Sequence, residues 1–194
     1  MHNKKTAVLL FDLFSNYEIS VALSVLAQSN KKYEVFCLNE HAISEEGLHV
    51  KRTKSLKQLC ISEFDSLLIP GCMDFSDIVD NQQIRSFLQQ FDSPNIIIAS
   101  ISSSPILLLK AGMLQNKKYI AGVLKAGLLE EGFTMQQMEN MRDITELKNE
   151  DGSIDTYHID GNLLTAVGCG FIEFGIQFGK MLQLEFEPGW YTVK

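Results

Sequence analysis

The sequence predicts an α/β fold, an open, mostly parallel sheet sandwiched by helices, with a C-terminal hairpin and helix. Short uninterrupted apolar runs at residues 7–11 and 96–99 are typical of strands that are covered on both faces. Runs with helical spacing alternate with such strands, an order typical of βαβ units. Near the C terminus, Asp160-Gly161-Asn162 separates two strand-like runs and predicts a hairpin turn.

Each element follows from a local pattern. Apolar residues at helical spacing, such as Ile19, Ala22 and Leu26, predict an amphipathic first helix, and Phe171, Phe174 and Phe178 mark the last one. We interpret the polar residues 39–59 as a loop with a short excursion, and residues 124–141 as helical in pieces. The predicted strands are residues 7–11, 33–38, 67–69, 96–99 and 119–121, followed by the hairpin at 157–165.

Composition limits the class of protein. The 194 residues are predicted to form one domain, 1–194, and a formal net charge of −7 argues against a nucleic-acid partner. No apolar run approaches the roughly 20 residues of a membrane span. The four cysteines are widely spaced without a C-x-x-C pair, which indicates reduced thiols in a cytoplasmic protein. We also expect no cofactor and no metal, because no nucleotide-binding or metal-ligand motif is present.

The most informative stretch is residues 96–112, which predicts a strand, a sharp turn and a helix. Ser104 is a candidate N-cap, Pro105 suits the first helical position, and Gly112 suits the position after the helix. Such a turn presents its apex residue at the carboxyl edge of the sheet, as a nucleophile elbow does. The apex residue here is Ser102.

The order of several short motifs resembles the ThiJ/PfpI family of the class I glutamine-amidotransferase-like superfamily, which has a flavodoxin-like fold. In that family the elbow has the sequence A-x-I-C-H-G-P, and this chain has A-S-I-S-S-S-P at residues 99–105. Further matches are P-G-C at 70–72, A-G-M-L at 111–114 and D-G-N-L-L-T at 160–165. The resemblance covers nearly the whole chain and implies an intracellular protease, amidase or stress-response protein that forms a homodimer.

The resemblance also implies roles for individual residues. Glu18 matches the glutamate that hydrogen-bonds the elbow nucleophile, while Cys72, after Gly71, and Ser103 match the two backbone donors of an oxyanion hole. Because backbone donors do not depend on the side chain, we expect that this hole could survive. Cys169 falls where the family's chain passes the pocket.

Ser102 and Ser103 replace the Cys and His of the family's elbow, and two readings follow. In the first, the protein is catalytically degenerate and its pocket binds a small molecule or a partner, because a serine hydroxyl needs an adjacent base that is not evident here. In the second, it is an active hydrolase, amidase or hydratase that uses Ser102, or a displaced thiol of Cys72 or Cys169, with Glu18. The histidines, His2, His41, His49 and His158, show no relay pattern.

Overall fold

The computed structural model describes residues 4–192, and a seven-stranded sheet forms its centre. The strands in chain order are β1 Lys5–Leu9, β2 Tyr33–Cys37, β3 His41–Ile43, β4 His49–Lys51, β5 Lys54–Ser55, β6 Phe64–Ile69, β7 Ile97–Ile101, β8 Tyr119–Ile120, β9 Met141–Arg142, β10 Tyr157–Asp160 and β11 Leu163–Ala166. The helices are α1 Tyr17–Gln28, α2 Ser76–Val79, α3 Gln82–Gln89, α4 Pro105–Lys110, α5 Lys125–Glu130 and α6 Phe171–Met181.

The central sheet has the order β10-β11-β7-β6-β1-β2-β5. Its pairs are parallel except β10 with β11, which is the C-terminal hairpin. The predicted α/β class, with a mostly parallel sheet, a hairpin and a final helix, is therefore confirmed. The chain runs from β1 to β2 on one side and then returns to β6 on the other. This reversal creates a crevice at the carboxyl ends of the strands, where open α/β sheets bind ligands.

Two groups of packed side chains hold the helices in place. Helix α1 packs against α6 at such short range that a Cβ on Gly175 would lie 2.6 Å from the backbone nitrogen of Ala22. Elsewhere, rings from β2, β6, α3 and the turn after α3 form an aromatic cluster with centroids 5.1–6.4 Å apart. Its members are Phe36, Phe64, Phe87 and Phe91. These contacts fix the strands whose carboxyl ends carry the candidate site.

Residues 39–59 differ from the loop that their polar composition predicts. They form the β3–β4 hairpin and the edge strand β5, which pairs with β2. The hairpin is held by distant backbone, since the Leu13 N–H donates to the Ile43 carbonyl at 2.7 Å, and such contacts leave no local pattern. In addition, β8 pairs with β9 in a separate two-stranded sheet, and only α5 is α-helical between residues 124 and 141. Within residues 4–192, no helix is both long enough and apolar enough to cross a bilayer.

Candidate active site

Ser102 lies at the apex of a sharp turn between β7 and α4. Its φ of 63° is in the left-handed region, which costs a non-glycine residue about 1–2 kcal/mol. Hydrogen bonds on both sides hold this conformation: the Ser102 N–H donates to the Ala166 carbonyl at 2.7 Å, and its carbonyl accepts from Gly122 N–H at 2.6 Å. The turn is thus a nucleophile elbow with a serine at its apex.

Ser104 stabilises the elbow in a way that differs from the predicted N-cap. It occupies the N-cap position of α4, but its side chain makes no capping hydrogen bond. Instead, its hydroxyl accepts from the Ile101 N–H at 3.0 Å and lies within bonding distance of the Ile69 and Ile101 carbonyls. The predicted N-cap position is therefore confirmed, but the side chain bonds buried groups at the strand ends instead, because these also need partners.

Glu18 is the acidic group of the site, held in the first turn of α1 and only 2% exposed. Its Oε2 accepts from the Gly71 N–H at 2.7 Å, and the Tyr17 hydroxyl lies 3.5 Å from Oε1. Burial raises the pKa of this carboxyl, while hydrogen bonds from the Ser102 hydroxyl and the Gly71 N–H oppose the rise. The carboxyl therefore keeps its proton to a higher pH than an exposed glutamate.

Three glycines lie next to the Ser102 hydroxyl, and none of them places a side chain against it. A Cβ built on Gly71, Gly122 or Gly168 would lie 2.9, 3.2 or 3.6 Å from Ser102 Oγ. The Gly71 position is also 2.8 Å from Glu18 Oε2, which places the hydroxyl and the carboxyl side by side. Side chains at these positions would therefore fill the space around the hydroxyl.

The expected oxyanion hole is altered by the side chain of Ser103. The Cys72 N–H donates to Ser103 Oγ at 3.0 Å, and the Ser103 hydroxyl donates to the Cys72 carbonyl at 2.8 Å. One of the two expected donors is therefore already satisfied inside the protein. The expectation that backbone donors are independent of the side chain is wrong at this position. The Ser103 N–H itself makes no backbone hydrogen bond within the described part of the chain.

The two cysteines near the elbow differ in environment. Cys72 is 5% exposed, and burial, with added repulsion from the Glu45 and Glu18 carboxylates, raises its thiol pKa to about 11. At neutral pH almost no Cys72 thiolate forms, which makes it a poor nucleophile. Cys169 is exposed and follows Gly168, whose Cβ position lies 2.7 Å from Glu18 Oε1.

Sequence reasoning missed the contribution of the turn between β3 and β4. Glu45 accepts hydrogen bonds from the Ser15 hydroxyl at 2.5 Å and from the Met73 N–H. Glu46 accepts from the N–H groups of Asn16 and Tyr17, each at 3.1 Å. These two acids link the hairpin to the start of α1, which carries Glu18, and to the loop that carries Gly71. No motif marks them, because they act across about 30 residues of chain.

No described histidine hydrogen-bonds Ser102. His41 and His49 lie in β3 and β4, His158 lies in the hairpin strand β10, and His2 is outside the described residues. Over residues 4–192, no three His, Cys, Asp or Glu side chains are placed to hold one metal ion. The immediate neighbours of the Ser102 hydroxyl are therefore Glu18 and backbone.

Comparison with known proteins identifies the fold and the family. The DJ-1/PfpI family model matches residues 4–180. A DJ-1 superfamily protein from Agrobacterium tumefaciens has a similar structure, with a TM-score of 0.77 and 18% identity over 96% of this chain and 93% of its own. A ThiJ/PfpI domain protein from Brachyspira murdochii gives 0.74 and 16%, over 93% of this chain and 96% of its own.

A two-domain protein from Anabaena variabilis with DJ-1/ThiJ/PfpI-like and ferritin-like domains gives a TM-score of 0.74 and 21% identity over 93% of this chain. This chain spans 48% of that protein's length. No curated protein matches the sequence. The solved structures share the fold, and the family model covers nearly the whole chain. From these matches and the elbow, the chain belongs to the DJ-1/PfpI family.

Proposed function

We propose that this protein is a catalytically degenerate member of the DJ-1/PfpI family, whose elbow pocket binds a small molecule or a partner. The observation that carries the proposal is the pair of hydrogen bonds between Ser103 and Cys72. An oxyanion would need the Cys72 N–H, and the Ser103 hydroxyl already occupies it. Losing one such donor typically costs about 3–4 kcal/mol of transition-state stabilisation.

The chemistry of Ser102 supports the same proposal. A serine hydroxyl is un-ionised near neutral pH and must transfer its proton to a base during attack. The neighbouring group is Glu18, whose raised pKa still leaves a carboxylate with an unfavourable match to a hydroxyl proton. No described histidine hydrogen-bonds Ser102, so no relay assists the transfer.

The alternative is an active hydrolase, amidase or hydratase that uses Ser102 or a nearby cysteine. Two observations favour it: the strained elbow geometry is kept, and the buried Glu18 has the raised pKa of a general acid. Under this reading, Glu18 would protonate a leaving group, and the exposed Cys169 would be the candidate thiol.

The test compares turnover of methylglyoxal and of simple ester and amide substrates by the parent and its variants. We expect the parent and Ser102→Ala to give the same near-background rate. The double variant Ser102→Cys with Ser103→His, which restores the family's elbow pair, should exceed the parent. A second double variant, Ser102→Cys with Ser103→Ala, separates the effect of the freed Cys72 N–H from the effect of the added histidine. It removes the Ser103 hydroxyl without adding a base.

Robust turnover by the parent that disappears in Ser102→Ala would contradict the degenerate reading. Turnover that survives in Ser102→Ala but disappears in Cys169→Ser or Cys72→Ser would instead establish the displaced-thiol reading. Circular dichroism of each variant checks that the fold is kept.

We further propose that the protein is a cytoplasmic homodimer, with a stress-related role of the kind that the family resemblance implies. Large apolar side chains are exposed on the loops around the site, with Met73 at 89% and Leu13 at 54%. In the tail, Trp190 is 75% exposed, whereas the Tyr191 hydroxyl bonds Ser24 on α1. Aromatic residues and Met are enriched in interfaces. Light scattering should return twice the chain mass at micromolar concentration, and a monomer mass throughout that range would reject the dimer.

A further inference from the structure

A cavity of about 220 Å³ lies at the carboxyl ends of β1 and β2. The chain leaving each of these strands lines it, and α2 contributes to its wall. Its floor is apolar, formed in part by the buried side chains of Phe11, Ala42 and Ile78. This β1–β2 cavity shares no lining residue with the elbow site, so it is a separate place in which a small ligand could be enclosed.

Three carboxylates lie around the β1–β2 cavity: Asp12, Asp74 and Asp77. None of them forms an ion pair with a cation within residues 4–192. Asp12 accepts a hydrogen bond from the Ile43 N–H and Asp74 accepts one from the Ser76 N–H, each through Oδ1. The Ser76 side chain also hydrogen-bonds Asp74, whereas the second oxygen of Asp12 has no hydrogen bond within residues 4–192. The nearby Arg52 guanidinium donates to the Leu38 carbonyl at 3.0 Å and does not neutralise these acids.

The Cys37 thiol is an independent sign that the cavity can hold a ligand. It lines the cavity, is 1% exposed, and makes no hydrogen bond within the described part of the chain. Burial raises its pKa to about 11, so the thiol is uncharged at neutral pH. The thiol is therefore a polarisable group without a hydrogen-bond partner, and it faces the cavity beside apolar side chains.

We propose that the β1–β2 cavity binds a small organic cation, namely a primary ammonium group on a compact apolar body. The apolar body would cover Phe11 and Ile78, and the ammonium would lie among the carboxylates. The chemistry of a bare metal ion fits less well, because these side chains do not converge on one point within the described residues. A carboxylate-bearing ligand is disfavoured by the charge of the rim.

The experiment uses the full chain with benzylammonium as the probe, and with benzyl alcohol and benzoate as its neutral and anionic counterparts. Calorimetry or ligand-observed NMR at pH 7 should show benzylammonium binding about two- to fivefold more tightly than benzyl alcohol, the range that one favourable exposed ion pair supplies. Benzoate should bind more weakly than either. Equal affinities for the three probes, or a preference for benzoate, would overturn the proposal.

Two variants locate the binding. The double change Asp12→Asn and Asp77→Asn should reduce the affinity for benzylammonium to that for benzyl alcohol. The single change Asp92→Asn removes an exposed charge that does not line the cavity, and should leave both affinities unchanged. If Asp92→Asn weakens binding as much as the cavity variant does, the attraction is a general effect of net charge and the site is rejected. Cys37→Leu, which fills the cavity, should abolish binding of both probes, and unchanged binding in this folded variant would also reject it.

Discussion

The Ser103 hydroxyl bonds both the N–H and the carbonyl of Cys72, so one side chain joins the elbow to the loop after β6. In a buried site such a donor and acceptor pair is costly to leave unmade. The bond therefore contributes to stability while it removes a donor from the candidate oxyanion hole. Under the proposed function, this hydrogen bond is the reason that the elbow does not stabilise a charged intermediate.

Glu18 makes the stability depend on pH in a defined direction. Because its pKa is raised in the folded state, the folded chain binds this proton more tightly than the unfolded chain. Its contribution is therefore most favourable at acidic pH, and falls as the pH rises from the unfolded pKa through the folded pKa. We expect Glu18→Gln to gain stability relative to the parent over that interval, measured by urea unfolding at a series of pH values.

The control for this prediction is Glu40→Gln, since the Glu40 side chain is 64% exposed. The difference in the free energy of unfolding between Glu40→Gln and the parent should not increase as the pH rises. A Glu18→Gln difference that stays constant from acidic to neutral pH would contradict the raised pKa.

Gly168 is needed because a side chain at this position would collide with its neighbours, and not because of its backbone conformation. A Cβ there would lie 2.7 Å from Glu18 Oε1 and 3.1 Å from the Tyr17 hydroxyl. We expect Gly168→Ala to lower the free energy of unfolding by about 1–3 kcal/mol, as overpacking does. The matched control is Gly127→Ala in α5, where nothing lies within 4 Å and alanine should stabilise the helix by up to about 1 kcal/mol. Equal effects of the two changes would show that the site tolerates a methyl group.

At the scale of elements, α1 is capped by a residue of another element. Asn16 makes no side-chain cap, and Glu46 instead accepts the N–H groups of Asn16 and Tyr17. Against the opposing effect of desolvation, a hydrogen bond from the Ser44 side chain and those from the Asn16 and Tyr17 N–H groups lower the pKa of Glu46, and its charge also suits the helix dipole. The β3–β4 hairpin therefore helps to fix the helix turn from which Glu18 projects.

We expect Glu46→Ala to destabilise the protein by about 1 kcal/mol, the usual value of a cap, and Glu46→Gln to lose less because it keeps an acceptor. Chemical unfolding of both variants measures this. Glu131→Ala, at an exposed glutamate after α5, should change stability by less than about 0.5 kcal/mol. If Glu46→Ala behaves like Glu131→Ala, the hairpin does not hold α1.

At the scale of the whole molecule, an ion pair with a buried lysine connects the segment after α1 to the central sheet. Lys31 follows α1, its side chain has no exposed area, and its Nζ lies 2.5 Å from Asp65 on β6. Removing the carboxylate would leave a buried cation without its partner, so Asp65→Asn should cost about 3 kcal/mol in unfolding experiments. Asp80→Asn, whose carboxyl is 71% exposed beside Lys110, should cost under about 1 kcal/mol. Similar losses of stability in the two variants would mean that the burial of Lys31 does not increase the cost of removing its partner.

Much of the fold could be predicted because its signals are local. Apolar runs marked β1, β2, β6 and β7, although β1 begins and ends two residues earlier than predicted. The spacing of apolar residues located α1 and α6. The β3–β4 hairpin and the capping by Glu46 could not be predicted, since they depend on contacts between segments about 30 residues apart.

By itself, the sequence determined the α/β fold and placed Ser102 at a strand-to-helix apex, because periodicity, glycines and Pro105 act within a few residues of each other. Only the tertiary structure decided what surrounds that apex. It brought Ser103 onto the Cys72 N–H, placed Glu18 in a buried position where its pKa rises, and left an acidic cavity beside β1 and β2. These properties arise from distances between groups that are far apart in the chain, and a linear pattern does not contain such distances.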